Sequence, residues 1–174
     1  MTSGRGAALW LLLGALAAGP ARADCRDLAA PRAVPTAAEG QWNLATFNLW
    51  RLRDTEKNSP IDRPLDDAVY QARLDALAGY IVDILKAPVL LAVQEVENLA
   101  ILEQLAERVT ARGGPRYRAR LLEGHDPAGM DVALLHRAPA EVGGVRALFA
   151  DQRFRNQPLF SRPPLAVSLT APRE

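Results

Sequence analysis

The chain has 174 residues, 49% of them hydrophobic and 24% charged, which fits one or two small globular domains and excludes long disorder and collagen-like structure. Lysine and arginine number 21 against 20 aspartates and glutamates, a net charge of +1, so nucleic acid cannot be held by overall charge alone. The single cysteine, Cys25, excludes an intramolecular disulfide framework and a cysteine-based zinc cluster.

Residues 1–23 have the form of a secretory signal peptide. Arg5 gives a positive start, residues 7–18 (AALWLLLGALAA) form an apolar run of 12, Gly19 and Pro20 break it, and Ala21-Arg22-Ala23 supplies a small-x-small cleavage site. A membrane-spanning helix needs roughly 20 apolar residues. The expected product is therefore secreted or periplasmic, with no stable membrane anchor. Cys25 follows the expected cut, as a lipid-attachment cysteine would, but Asp24 before it is neither small nor apolar. Cleavage leaves 19 basic and 20 acidic residues. Residues 24–40, with Pro31 and Pro35, read as a linker, and residues 41–174 as the domain.

Residues 42–50 (WNLATFNLW) are rich in aromatic and β-forming side chains and predict a strand. Residues 51–64, polar and broken by Pro60 and Pro64, predict a loop. Val69, Leu74, Leu77, Ile81, Ile84 and Leu85 recur at helical spacing; Asp66 or Asp67 suits the helix start, and Pro88 marks its end. Residues 89–96 (VLLAVQEV) run apolar and turn polar, the pattern of a strand buried on both faces. A second helix carries Leu99, Leu102, Leu105 and Val109 on one face, starts at Asn98 and closes at Gly113-Gly114. Strands follow at residues 117–122, 131–136, 142–149 and 165–170, punctuated by glycine and proline. The order is β-α-β-α-β-β-β-β, an α/β or α+β fold.

Asn48 lies near the carboxyl end of the first strand and Gln94-Glu95 at the carboxyl end of the second. Ligands gather at carboxyl ends of strands in α/β sheets, and a carboxylate there needs a partner or a metal. If the strands are neighbours, Asn48 and Glu95 converge. Either they make ordinary strand-end hydrogen bonds, or they form a partial shell for Mg²⁺, which prefers oxygen ligands and keeps several waters.

The segments LATFNLW (44–50), LLAVQEVEN (90–98), GMDVALLHR (129–137) and LFSRPPLAV (159–167) together resemble the endonuclease/exonuclease/phosphatase superfamily, whose fold is the deoxyribonuclease I-like α/β/β/α sandwich. QEVEN and RPPL look most like its secreted bacterial nuclease branch. The resemblance implies a metal-dependent phosphodiester hydrolase with Glu95 as main Mg²⁺ ligand (or Ca²⁺ or Mn²⁺), Asn48 beside it and Gln94 in support. In-line attack of water on phosphorus would break the substrate, nucleic acid or another phosphodiester.

Other residues carry two readings each. Asp131 either faces the site or serves a turn. Arg162 either steadies the site loop or a phosphate, or sits on the surface. Arg112, Arg116, Arg118 and Arg120 touch a nucleic-acid backbone or, more simply, form the solvated side of one strand. His136, alternating with Leu135, is expected to face solvent or a partner strand, and neither it nor His125 falls in a histidine motif of the family.

The family pattern also includes a histidine strand, a GDFN-type motif and a terminal Asp-His pair whose histidine activates water. The 174 residues contain none of them, so the resemblance covers about the first half of the sandwich. With no base for the water, this chain alone is expected to be inactive or nearly so. The alternatives are a phospholipid or small-phosphoester hydrolase of the same fold, and a non-catalytic exported binding domain.

Overall fold

The computed structural model describes residues 30–170. The expected signal peptide and Cys25 lie outside the described residues. Residues 30–38 have no regular structure and end in a turn. They are tied down by two contacts: the Val34 N–H donates to Ile84 O (2.9 Å), and Asn43 Nδ2 donates to Pro35 O (3.1 Å).

The elements are β1 (Leu44–Leu52), α1 (Asp67–Gly79), a π-helical turn (Tyr80–Ile84), β2 (Leu90–Val96), α2 (Leu99–Ala111), β3 (Arg118–Leu121), β4 (Asp131–His136), β5 (Glu141–Ala147), β6 (Arg153–Phe154), β7 (Gln157–Pro158) and β8 (Leu165–Thr170). The main sheet has the order β1-β2-β4-β3. β1 and β2 are parallel, which requires a crossover, and α1 supplies it. β4 is antiparallel to both β2 and β3. β5 pairs with β8, and β6 with β7. The fold is mixed α/β, with a four-stranded sheet and two helices.

Alternation along the strands divides the sheet into two faces. Leu49, Leu91, Val93, Ala133, Leu135 and Ala119 point to one face and form a core with Leu74, Ile81, Leu102, Leu105 and Val109 of the helices. The opposite face carries the register rows Leu44–Leu90–His136, Thr46–Ala92–Leu134 and Asn48–Gln94–Val132. It is only partly covered, and a cleft of about 420 Å³ separates β2 and β4 from Leu165, Val167 and Leu169 of β8.

Several expectations are corrected. β2 is not buried on both faces: Leu91, Val93 and Val96 are sealed, whereas Leu90, Ala92 and Gln94 are half-buried because the cleft lies over them. Val69 is 51% exposed, and Leu99 also lies at the surface; Ile101 and Ala106 complete the buried face of α2. Asp66 stands at the amino-terminal cap of α1, but its side chain makes no capping bond. Asp67 instead accepts from Gln71 Nε2 at 3.0 Å. Asn98 caps α2 as expected, its Oδ1 accepting the Ile101 N–H at 2.9 Å. Residues 53–66 form an ordered loop around a buried ion pair, Arg53–Asp62 at 3.4 Å. β6 and β7 are too short to show in a periodicity.

Candidate functional site

Three non-glycine residues near one sheet end have left-handed backbones: Trp50 (φ 53°), Arg51 (φ 53°) and Glu95 (φ 61°). Such a conformation costs on the order of 1–3 kcal/mol per residue and persists only where the surroundings enforce it. At Glu95 the cause is a bulge. Gln94 pairs with Val132 and Val96 with Asp131, so Glu95 is the extra residue against β4. Against β1 the extra residues lie on the other strand, because Asn48 pairs with Gln94 and Leu52 with Val96, leaving residues 49–51 opposite Glu95. At Trp50 and Arg51 the chain bends, and Arg73 from α1 caps the bend by donating from Nη2 to Leu49 O (2.8 Å) and to Trp50 O.

The bulge and the bend place the predicted residues together. Glu95 Oε2 accepts the Arg51 N–H at 3.1 Å. Asn48 Oδ1 accepts the Trp50 N–H at 2.7 Å. Gln94 Nε2 donates to Thr46 Oγ1 at 2.9 Å, on the face that carries Asn48. Arg162 reaches in from the segment before β8. Its Nη1 lies 3.6 Å from Glu95 Oε1, while Nε and Nη2 bind Asp126 Oδ2 at 2.9 and 2.7 Å. Arg162 is thus not a free surface arginine; Asp126 holds one edge of the guanidinium and aims the other toward Glu95. Burial raises the Asp126 carboxyl, but the Ala128 N–H and Arg162 outweigh it and hold the group below its ordinary range.

Asp131 is brought near this region but does not open into it. It is 2% exposed, and its Oδ1 accepts the Gly124 N–H at 2.7 Å. Burial, and then the neighbouring Glu123 carboxyl, push Asp131 up to about 7. Oδ2 has no donor, so the two carboxyls can bond only by sharing a proton. The turn role is the one observed: Asp131 ties the loop at 122–130 to β4. That loop also packs on the Arg162 segment, since a Cβ on Gly124 would stand 2.9 Å from Ser161 O, and His125 N donates to Ser161 O at 2.7 Å.

Of the two readings of His136, solvent is excluded, since it is 3% exposed and sits between Leu90 and Arg118 in the sheet; burial holds its imidazole below the ordinary value. His125 bonds through Nε2 to Ala150 O at 3.0 Å. Arg118 and Arg120 lie exposed on the same side of β3, which agrees with both of their readings. Arg112 pairs with Asp83 at 2.6 Å.

From the sequence Glu97, which follows Glu95, is only a weak candidate and is given no role of its own. It is 7% exposed; Oε2 accepts the Asp54 N–H at 3.0 Å and Oε1 accepts from Asn58 Nδ2 at 3.2 Å. Asn98 Nδ2 adds a bond to Asp54 Oδ2 at 2.9 Å. These bonds fasten the loop after β1 to the turn after β2, and burial raises the Glu97 carboxyl. The available signal was the spacing in QEVEN, where a second carboxylate follows two positions after the first.

Among the described residues no three His, Cys, Asp or Glu side chains converge to hold a metal ion. The set present is one carboxylate and one amide on adjacent strand ends, each already accepting a backbone N–H. That set fits a hard cation which retains most of its waters, as Mg²⁺ does, and not one requiring a full protein cage. Among the described residues no helix is long and apolar enough to cross a membrane. No family model matches the chain, and a search of curated proteins finds no match.

Proposed function

We propose that the chain carries the cation and phosphate side of a nuclease-like phosphodiester hydrolase of the deoxyribonuclease I-like type, exported by its amino-terminal leader. The observation that carries this reading is Glu95, held at φ 61° on the bulge of β2 against β4, with a guanidinium 3.6 Å away. Backbone outliers of this kind cluster at functional sites. A sheet with helices on one face and further strands across the other agrees with one part of an α/β/β/α sandwich.

Glu95 would be the main protein ligand of a hard divalent cation, Mg²⁺ or in its place Mn²⁺ or Ca²⁺, with Asn48 Oδ1 beside it. When bound, the cation would withdraw charge from a phosphodiester oxygen. Gln94 positions the Asn48 strand end through Thr46. Arg162, fixed by Asp126, would bind a phosphate oxygen with its remaining edge. Neither His125 nor His136 is free to activate water, so turnover by the chain alone is expected at or near background.

Calorimetric titration with Mn²⁺, alone and with inorganic phosphate, tests the reading. Glu95→Gln should weaken Mn²⁺ binding at least about tenfold. Arg162→Gln should leave Mn²⁺ binding in place and remove its enhancement by phosphate. Equal Mn²⁺ affinity of wild type and Glu95→Gln would contradict it.

A further inference from the structure

Residues 149–160 form a surface that the Glu95 site does not use. β6 and β7 are joined by Arg155 (φ 48°) and Asn156 (φ 65°), both left-handed, the geometry of a type I′ hairpin turn. Asparagine suits that backbone; arginine does not, because its Cβ crowds the following carbonyl. A strained arginine at a hairpin tip is an outlier that points to a role. Beside it Phe154 is 62% exposed, with the Arg155 guanidinium carbon 5.2 Å from the ring centroid. Lower on the hairpin Phe149 and Phe160 pair with centroids 6.1 Å apart, and both are exposed.

The charge pattern selects the partner. Residues 149–160 hold two arginines (153 and 155) against one acid, Asp151, in a chain whose whole net charge is +1. Aromatic rings interleaved with arginine suit a polyanion that also offers flat π-faces. An unpaired nucleic-acid strand is both: its bases stack on aromatic side chains and its phosphates meet arginine. The amides of Gln152, Asn156 and Gln157 add hydrogen-bonding capacity around the rings.

We infer that the 149–160 hairpin is a binding element for single-stranded nucleic acid, with Phe154 stacking on a base while Arg153 and Arg155 engage the flanking phosphates. The chain then runs from Phe160 to Arg162, which reaches Glu95, so a strand held by the hairpin is led toward that carboxylate. In this sense the inference names the substrate form of the proposed hydrolase site and rests on that reading; the binding step itself requires neither metal nor turnover.

Fluorescence anisotropy of a labelled oligothymidylate, measured with the purified chain in EDTA, tests it. Binding should fall with salt. Phe154→Ala should weaken it about tenfold, Phe154→Trp should retain it, and Phe154→Leu should lose it like alanine. Replacing Arg153 and Arg155 together by glutamine should reduce the salt slope by about 1.4, two phosphates at about 0.7 each. The inference is overturned if the wild type does not bind oligothymidylate, or if Phe154→Leu binds as tightly as wild type. It is also overturned if Phe154 instead governs partition onto phosphatidylcholine–phosphatidylglycerol vesicles. Loss of the Glu95 cation site with oligothymidylate binding intact contradicts the hydrolase reading alone; the reverse contradicts the hairpin alone.

Discussion

Asp131 shows how one side chain can link a loop to pH. In the unfolded chain an aspartate titrates near about 3.9, whereas in the fold Asp131 is pushed up to about 7 by burial and by Glu123. Between those values the folded protein keeps a proton that the unfolded chain has released. Stability therefore falls as pH rises through about 4 to 7, and levels off above. Asp131→Asn preserves an acceptor for the Gly124 N–H, offers a donor to Glu123 and removes the titration. The variant should be more stable than wild type by on the order of a few kcal/mol near pH 8, the gap closing toward pH 4. His136 titrates in both proteins and cancels in the difference. Urea midpoints at the two pH values check this, and a gap independent of pH would count against the shared-proton account. Glu95 makes a second statement at this scale. Glu95→Gly should relieve the left-handed strain and raise stability by up to about 1 kcal/mol while removing the carboxylate, so thermal unfolding and Mn²⁺ affinity should move in opposite directions.

At the scale of elements, the two helices differ in how they begin. Asn98 caps α2 and also donates to Asp54, so Asn98→Ala should cost about 1–2 kcal/mol. Asp66 occupies the same position in α1 without a capping bond, so Asp66→Ala should cost only a few tenths of a kcal/mol. Chemical denaturation of the pair separates the two cases; equal losses would show that cap geometry does not matter here. Most elements were legible because their periods are strong: Leu102, Leu105 and Val109 mark α2, and residues 131–136 and 165–170 coincide with β4 and β8. Val69 and Leu99 misled because a helix can begin outside the core, so an apolar side chain in its first turn need not be buried. β6 and β7 escaped because two residues have no period, and the π-helical turn because a five-residue widening at the end of a helix leaves the apolar spacing nearly unchanged.

For the molecule as a whole, the two sheet faces are unequal. The helical face is sealed, whereas Leu44 is 59% exposed on the other, and the cleft against β8 remains open. The folded protein should therefore bind an apolar dye such as anilinonaphthalene sulfonate in native buffer. Ala92→Leu, which adds volume where the cleft is lined, should reduce the dye signal without unfolding. The site divides in the same way between legible and hidden. Asn48, Gln94 and Glu95 could be read because polar residues ending apolar strands stand out, and the parallel pairing of β1 with β2 does bring them side by side. The bulge, the Arg73 cap and the Asp126 clamp on Arg162 depend on contacts between segments distant in sequence, which no local pattern encodes. Between the two readings of Asp131 the strand position could not decide; the bond from the Gly124 N–H selects the turn role.

The measurement that bears most directly on the central claim is Mn²⁺-induced line broadening of backbone amide resonances in the full chain, titrated from sub-stoichiometric metal. The account predicts that the amides of Asn48, Trp50, Arg51 and Glu95 broaden first, and that Glu95→Gln abolishes this while the spectrum stays folded. First broadening around Glu123 and Asp126, or broadening unchanged in Glu95→Gln, would contradict it.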